Sequence, residues 1–173
     1  TGTSLISGLN DFYRESSYNR AGFHLSGAGS DVTPTLRMTN TASYYGAGNY
    51  YVQLQNDARA AATAAGYNVS NYDFDMTCFG AVPGWGWAGL GWVGASGVWL
   101  RSYFTTGVAG HELGHNLGLN HANYWNTGGQ SIIGNGASDE YGDSFDTMGS
   151  AAAGANHFNT RYKSYLNWLV AAG

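Results

Sequence analysis

The stretch His111-Glu112-Leu113-Gly114-His115-Asn116-Leu117-Gly118-Leu119-Asn120-His121 organises the rest of this chain. Its first five residues have the form H-E-x-x-H, and on a helix the i, i+4 spacing stacks the imidazoles of His111 and His115 on one face. Glu112 lies about 100° round the helix from His111, close enough to that face to hold a water but out of line as a ligand. A carboxylate there is placed as a general base. Gly118 then ends the helical run, because glycine takes the left-handed conformation that turns a chain back. The turn brings His121 round as a third ligand. Three neutral imidazoles leave one coordination position open to water, the arrangement of a catalytic zinc ion rather than of a closed structural site.

Downstream, Asp146-Thr147-Met148-Gly149 has the composition of a tight turn. The pattern H-E-x-x-H-x-x-G-x-x-H followed by that methionine resembles the metzincin metallopeptidases. Within the clan the chain is most similar to the gametolysin-like family. That likeness rests on residues 107 to 122, on Glu140-Tyr-Gly-Asp-Ser-Phe-Asp-Thr-Met-Gly149, and on His157-Phe-Asn159 leading into a Leu-Asn-Trp-Leu ending. The resemblance implies an α/β (α+β) metzincin-like catalytic domain filling residues 1–173. A twisted mixed sheet and two long helices would stand above a cleft (about 1–118), with the Met-turn and a C-terminal helix below it (about 119–173). It also implies a secreted, extracellular zinc endopeptidase in which His111, His115 and His121 hold one catalytic Zn2+, Glu112 is the base and Met148 lies under the metal. An inhibitory pro-segment goes with that picture.

Two positions depart from better-known metzincins. Ser150 stands two residues after the methionine, where some of those families carry a tyrosine, so a group stabilising the oxyanion must come from elsewhere; His157, Tyr141 and Tyr162 are the candidate donors. Ala122 follows the third histidine in place of the residues familiar there. Subsite preference therefore does not carry over.

Composition narrows the remaining classes. The chain has 173 residues, enough for one core, with seven basic against eleven acidic residues and no basic run, which argues against nucleic acid as a partner. No apolar run is long enough to span a membrane, and the chain begins at Thr1 without a charged and hydrophobic leader, as a mature or trimmed form would. A monomer is expected. Cys78 is the only cysteine, so no intrachain disulfide can form; the alternation Tyr72, Phe74, Met76, Cys78 places it on a strand as a buried small hydrophobe.

Periodicity supplies the other elements. Leu5, Ile6, Leu9, Phe12 and Tyr13 predict an amphipathic helix capped by Thr3 or Ser4, and Tyr51, Leu54, Ala58, Ala61 and Ala65 predict a second helix stopped by Gly66. Strands are expected at Thr35–Met38, Tyr72–Phe79 and Val98–Phe104, the last feeding the metal helix through a cap at Thr105 or Thr106. His24 reads as an ordinary strand or surface residue. The glycine-rich segment 80–97 carries Trp85, Trp87 and Trp92. It reads both as an aromatic edge packed on the sheet and as a cleft rim where glycines let a peptide strand approach. Residues 123–145 read as a long loop lining a substrate pocket, with Tyr124, Trp125, Ile132 and Ile133 as wall residues. The candidate substrate contacts are thus Trp92, Tyr124, Trp125, His157 and Tyr162. Asp139, Glu140, Asp143 and Asp146 offer oxygens that could bind calcium (Ca2+), or carboxylates that orient the histidines, with Asp143 or Asp146 as the orienting groups. Tyr162, Tyr165, Leu166, Leu169 and Val170 mark a closing helix after Asn159.

The functional expectation is hydrolysis of peptide bonds in a protein or peptide substrate by a zinc-bound water that Glu112 activates. Two alternatives stand beside it: a non-catalytic zinc-stabilised binding module, and a zinc hydrolase of a non-peptide amide or ester.

Overall fold

A computed structural model of the chain describes residues 1–23, 31–129, 133–150, 154 and 156–169. Its centre is the strand Val98–Arg101 (β3 in chain order), which lies parallel to Met76–Phe79 (β1) and antiparallel to Gly89–Gly91 (β2) in a mixed sheet of order β1-β3-β2. Registers place Met76 beside Val98 and Leu90 beside Trp99. Alternation along β3 sends Val98 and Leu100 to one face and Trp99 to the other. All three are fully buried, because both faces are covered.

On one face the helices Gly2–Ser16 (α1) and Thr106–Asn116 (α4) bury Leu5, Leu9, Phe12, Tyr13, Ala109 and Leu113 against Val98 and Leu100. The helices approach closely at glycine: a Cβ at Gly110 would lie 3.1 Å from the Phe12 ring, and the Tyr13 hydroxyl donates to the Gly110 carbonyl at 2.9 Å. On the other face Trp99 packs with Tyr45, Leu54, Val82 and Trp85, and its indole N–H donates to the Tyr51 carbonyl at 2.8 Å. Trp85 and Trp87 stack at 4.9 Å, so these two tryptophans of the glycine-rich segment serve packing.

The architecture is α+β, with small sheets and five α-helices among the described residues. The N-terminal helix forms as expected, but its cap is Thr1, whose hydroxyl accepts from Ser4 N at 3.2 Å, rather than Thr3 or Ser4. The helix Tyr51–Ala64 (α3) stops before Gly66, which has φ +91°. Of its small-residue stripe Ala65 is exposed, while Leu54 and Gln55 carry the burial. A short helix, Ala42–Ala47 (α2), precedes it.

Several expectations are corrected. Thr35–Met38 forms no strand: it pairs with neither edge strand of the sheet, β1 or β2, and four alternating residues carry only a weak strand preference that context overrides. Cys78 lies on β1 but is exposed, because alternation fixes a face without guaranteeing that anything covers it at the strand's end. The segment after His121 contains an exposed antiparallel hairpin, Tyr124–Asn126 (β4) with Ala137–Asp139 (β5). The closing helix is Thr160–Tyr165 (α5), capped by the Asn159 side chain, and Trp168 is the buried residue beyond it. His24, Ile132 and Val170 fall outside the described residues. No helix of the described residues is long and apolar enough to cross a membrane.

Candidate metal centre

Thr105 caps α4, its hydroxyl accepting from Val108 N at 3.3 Å. The helix ends in two bonds that close its last turn: Gly118 N–H donates to the His115 carbonyl at 2.8 Å and Leu119 N–H to the Gly114 carbonyl at 3.0 Å. Gly118 has φ +92°, a conformation open to glycine, and this reversal carries the chain back to His121. Asn116 fastens the helix end to the β2–β3 loop, donating to the carbonyls of Trp92 and Gly97 at 2.9 and 3.1 Å.

His111, His115 and His121 converge, with one ligand atom from each lying within 4.8 Å of the others. Three histidines so placed are close enough to bind a metal ion. Their ring centroids stand 4.9 to 5.5 Å apart. Each Nδ1 is engaged: that of His111 with the Thr147 carbonyl at 2.8 Å, that of His115 with the Leu119 carbonyl at 2.8 Å, and that of His121 with Glu140 Oε1 at 2.6 Å. A carbonyl oxygen can only accept, so Nδ1 of His111 and of His115 carries the proton and donates. In each ring Nε2 is left with its lone pair for a metal. Acceptors behind the ligands hold tautomer and ring orientation together.

Thr147, and with it the turn that carries Met148, is therefore part of the site. Asp146 is fully buried and holds the turn, its carboxylate accepting from Met148 N at 2.6 Å and from Asn159 N at 2.5 Å. The turn is tied to the neighbour of the third histidine, since Ala122 N–H donates to the Met148 carbonyl at 2.9 Å. Met148 is fully buried against α4, where a Cβ on Gly114 would lie 2.4 Å from its sulfur. A glycine is needed there for the sulfur to seat.

The acidic residues proposed together for calcium have separate employments. Glu140 faces His121, Asp146 braces the turn at Met148, and Asp143 accepts from Phe145 N at 2.9 Å. Among the described residues the three histidines are the one group of donors close enough to hold an ion. The orienting carboxylate is Glu140, not Asp143 or Asp146. Sequence reasoning also missed the two backbone acceptors, which no side-chain pattern announces.

Glu112 is buried and sits beside β2, where a Cβ on Gly89 would lie 2.5 Å from Oε1. Burial pushes its carboxyl up to about 8, and burial pulls the His111 imidazole down to about 4; His115 is also lowered, by burial first. The two effects oppose each other in the metal-free protein. His111 resists protonation in the fold, so its contribution is present above about pH 6.5 and lost as pH falls through about 4. Glu112 resists ionisation, so its contribution is present below its ordinary pKa of 4.5 and lost as pH rises through about 8. Thermal melts with a chelator should therefore show stability falling by about 2 kcal/mol between about pH 6.5 and 8, at ~1.4 kcal/mol per pH unit for the one group. Glu112→Gln should abolish that fall; an unchanged alkaline limb in the variant would assign it to another group.

Of the candidate oxyanion donors, Tyr141 is the one beside the histidines. Its ring centroid lies 3.8 Å from that of His121 and 5.9 Å from that of His111, and its backbone takes φ 62°, uncommon for a residue with a side chain. Burial raises its phenol, followed by the charges of Glu140 and Glu112. His157 is instead engaged with Glu15 at 3.2 Å and Lys163 at 3.2 Å, and the Tyr162 hydroxyl donates to the carbonyls of Asn120 and His121. Tyr124 and Trp125 stand exposed on β4, with the Trp125 indole donating to the Gly134 carbonyl at 3.0 Å. Trp92 packs on Tyr51 and Trp99 and donates to Gln55 Oε1 at 3.2 Å, on the α3 side of the sheet. Comparison of the chain with protein-family models and with curated proteins returns no match.

Proposed function

We propose that this chain is a zinc-dependent endopeptidase of metzincin type, acting outside the cell on protein or peptide substrates. The observation that carries the reading is the convergence of three imidazoles, each with its Nδ1 engaged, beside a buried carboxylate one residue from the first of them. The donor set fits the ion. Three neutral nitrogens suit zinc, which takes imidazole readily and keeps a position open in catalytic sites. The mixed sheet packed on α4 and the Met-turn wedged against Gly114 support the same reading.

Zinc held by His111, His115 and His121 would supply Lewis acidity and bring the pKa of water down toward about 7. The chain's own groups do the rest. Glu112 takes a proton from the attacking water and delivers it to the leaving amine, and its raised proton affinity suits a group that must both accept and release. The Tyr141 ring stands against His121, and its hydroxyl is our candidate donor to the oxygen on which charge develops, so Tyr141→Phe should lower kcat by about 10²- to 10³-fold with little change in KM. Unchanged kcat in that variant would remove Tyr141 from the chemistry. The β2 strand forms an edge of its sheet beside Glu112, where an extended peptide could pair along it.

The test is cleavage of denatured casein, a chromogenic ester and a glycan by the metal-loaded protein, by chelated protein and by protein reloaded with zinc. The expected result is casein cleavage alone, lost on chelation and restored by zinc at about one ion per chain. Ester turnover without casein cleavage would instead select the non-peptide hydrolase. Bound zinc with no turnover of any substrate would select the binding module.

A further inference from the structure

Between the turn that carries the third histidine and α5 the structure opens a cavity of about 540 Å³. Its wall includes His121 and Asn120 on one side and Asn159, Arg161 and Tyr165 on the other. This volume suits a side chain with a short piece of backbone rather than a single ion.

The cavity's chemistry is one-sided. Arg161 lines it and forms no hydrogen bond or ion pair among the described residues, and no carboxylate is part of the wall. Asn159 has committed its side-chain oxygen to Tyr162 N at 3.0 Å, so the group it has left is a donor. The Asn120 side-chain amide and the Tyr165 hydroxyl are likewise unengaged among the described residues. In a chain of net charge −4, a cavity bearing an unpaired guanidinium and spare N–H and O–H donors selects an anion. A planar carboxylate matches the guanidinium fork. His121 belongs to both the metal group and this wall, its ring among the three histidines and its carbonyl accepting from the Tyr162 hydroxyl of the wall, so the cavity and the metal centre share one turn of chain.

We infer that this cavity is a substrate subsite that receives a peptide carboxylate against Arg161. The inference rests on the peptidase reading, and the carboxylate is either an Asp or Glu side chain or a peptide C-terminus.

The experiment uses zinc-loaded Glu112→Gln protein, so that binding is read without turnover. Tryptophan fluorescence is titrated with three hexapeptides: one with an internal Glu and an amidated end, the same peptide with Gln, and the Gln peptide with a free C-terminal carboxylate. A charge-assisted contact should make one of the acidic peptides bind about tenfold more tightly than the neutral one, and which of them does so identifies the carboxylate's source. Adding Arg161→Gln should erase the preference, and Arg161→Glu should turn it toward a Lys peptide. Equal affinity for all three peptides, or a preference that survives Arg161→Gln, overturns the inference. A preference that holds in binding while zinc-loaded wild type cleaves neither these peptides nor denatured casein would keep the Arg161 carboxylate site as a peptide-binding site and refute the peptidase reading.

Discussion

Glu112→Gln should keep one metal ion per chain and an unaltered fold while lowering kcat by about 10²- to 10⁴-fold or more, the range lost with a positioned general base. The carboxylate accepts no hydrogen bond among the described residues and lies against Gly89 of β2, so no hydrogen-bond partner is orphaned by the change. Its charge is a burden on the fold, as burial pushes the carboxyl to about 8. The amide keeps shape and volume but cannot take a proton from water. A structural carboxylate would behave in the opposite way, losing stability and leaving turnover intact. Metal analysis, melting temperature and kcat on the same preparation separate the two, and near-normal kcat with zinc bound would refute the assignment of Glu112 as base.

What was legible in the sequence was local. The spacing of His111 and His115, the stop at Gly118 and the return to His121 are each fixed within a turn or two of backbone, so pattern alone placed them. The partners of their Nδ1 atoms were not legible, because Thr147 and Leu119 act through backbone carbonyls that every residue possesses. Glu140 was visible as an acid, but the sequence reading favours Asp143 and Asp146, nearer Met148, for the role; only the path of the chain shows that Glu140 is the one that meets His121. Strands were legible only where burial imposed alternation. Val98 to Leu100 lies between two covered faces and was found, whereas β4 and β5 are exposed throughout and carry no such signal. Cys78 shows the converse error: its period was right and its burial was not, because a strand's face says nothing about what packs on it.

The glycines of β2 give the second large expectation, and they test how the sheet positions the helix. A Cβ at Gly89 would lie 2.5 Å from Glu112 Oε1 and 2.7 Å from its Cγ, so it meets the side chain proposed as the base. A Cβ at Gly91 would lie 2.5 Å from the Glu112 carbonyl oxygen and 3.2 Å from His115 Cβ, so it meets the helix backbone. A carboxylate can swing aside; a helix cannot without taking a metal ligand with it. Gly89→Ala should therefore retain zinc and melt near wild type but lose about 10²-fold in kcat, the penalty of an ångström-scale misplacement of a catalytic group. Gly91→Ala should push α4 off the sheet, costing about 1–3 kcal/mol of stability as overpacking does and weakening zinc binding as well. Zinc affinity and kcat measured on both variants carry the comparison. If Gly89→Ala weakened zinc as much as Gly91→Ala, or if both were silent, β2 would not be the wall that aims Glu112. If the two separate as expected, the glycine pair holds base and ligand by distinct contacts, one reaching the carboxylate and the other the helix that carries it.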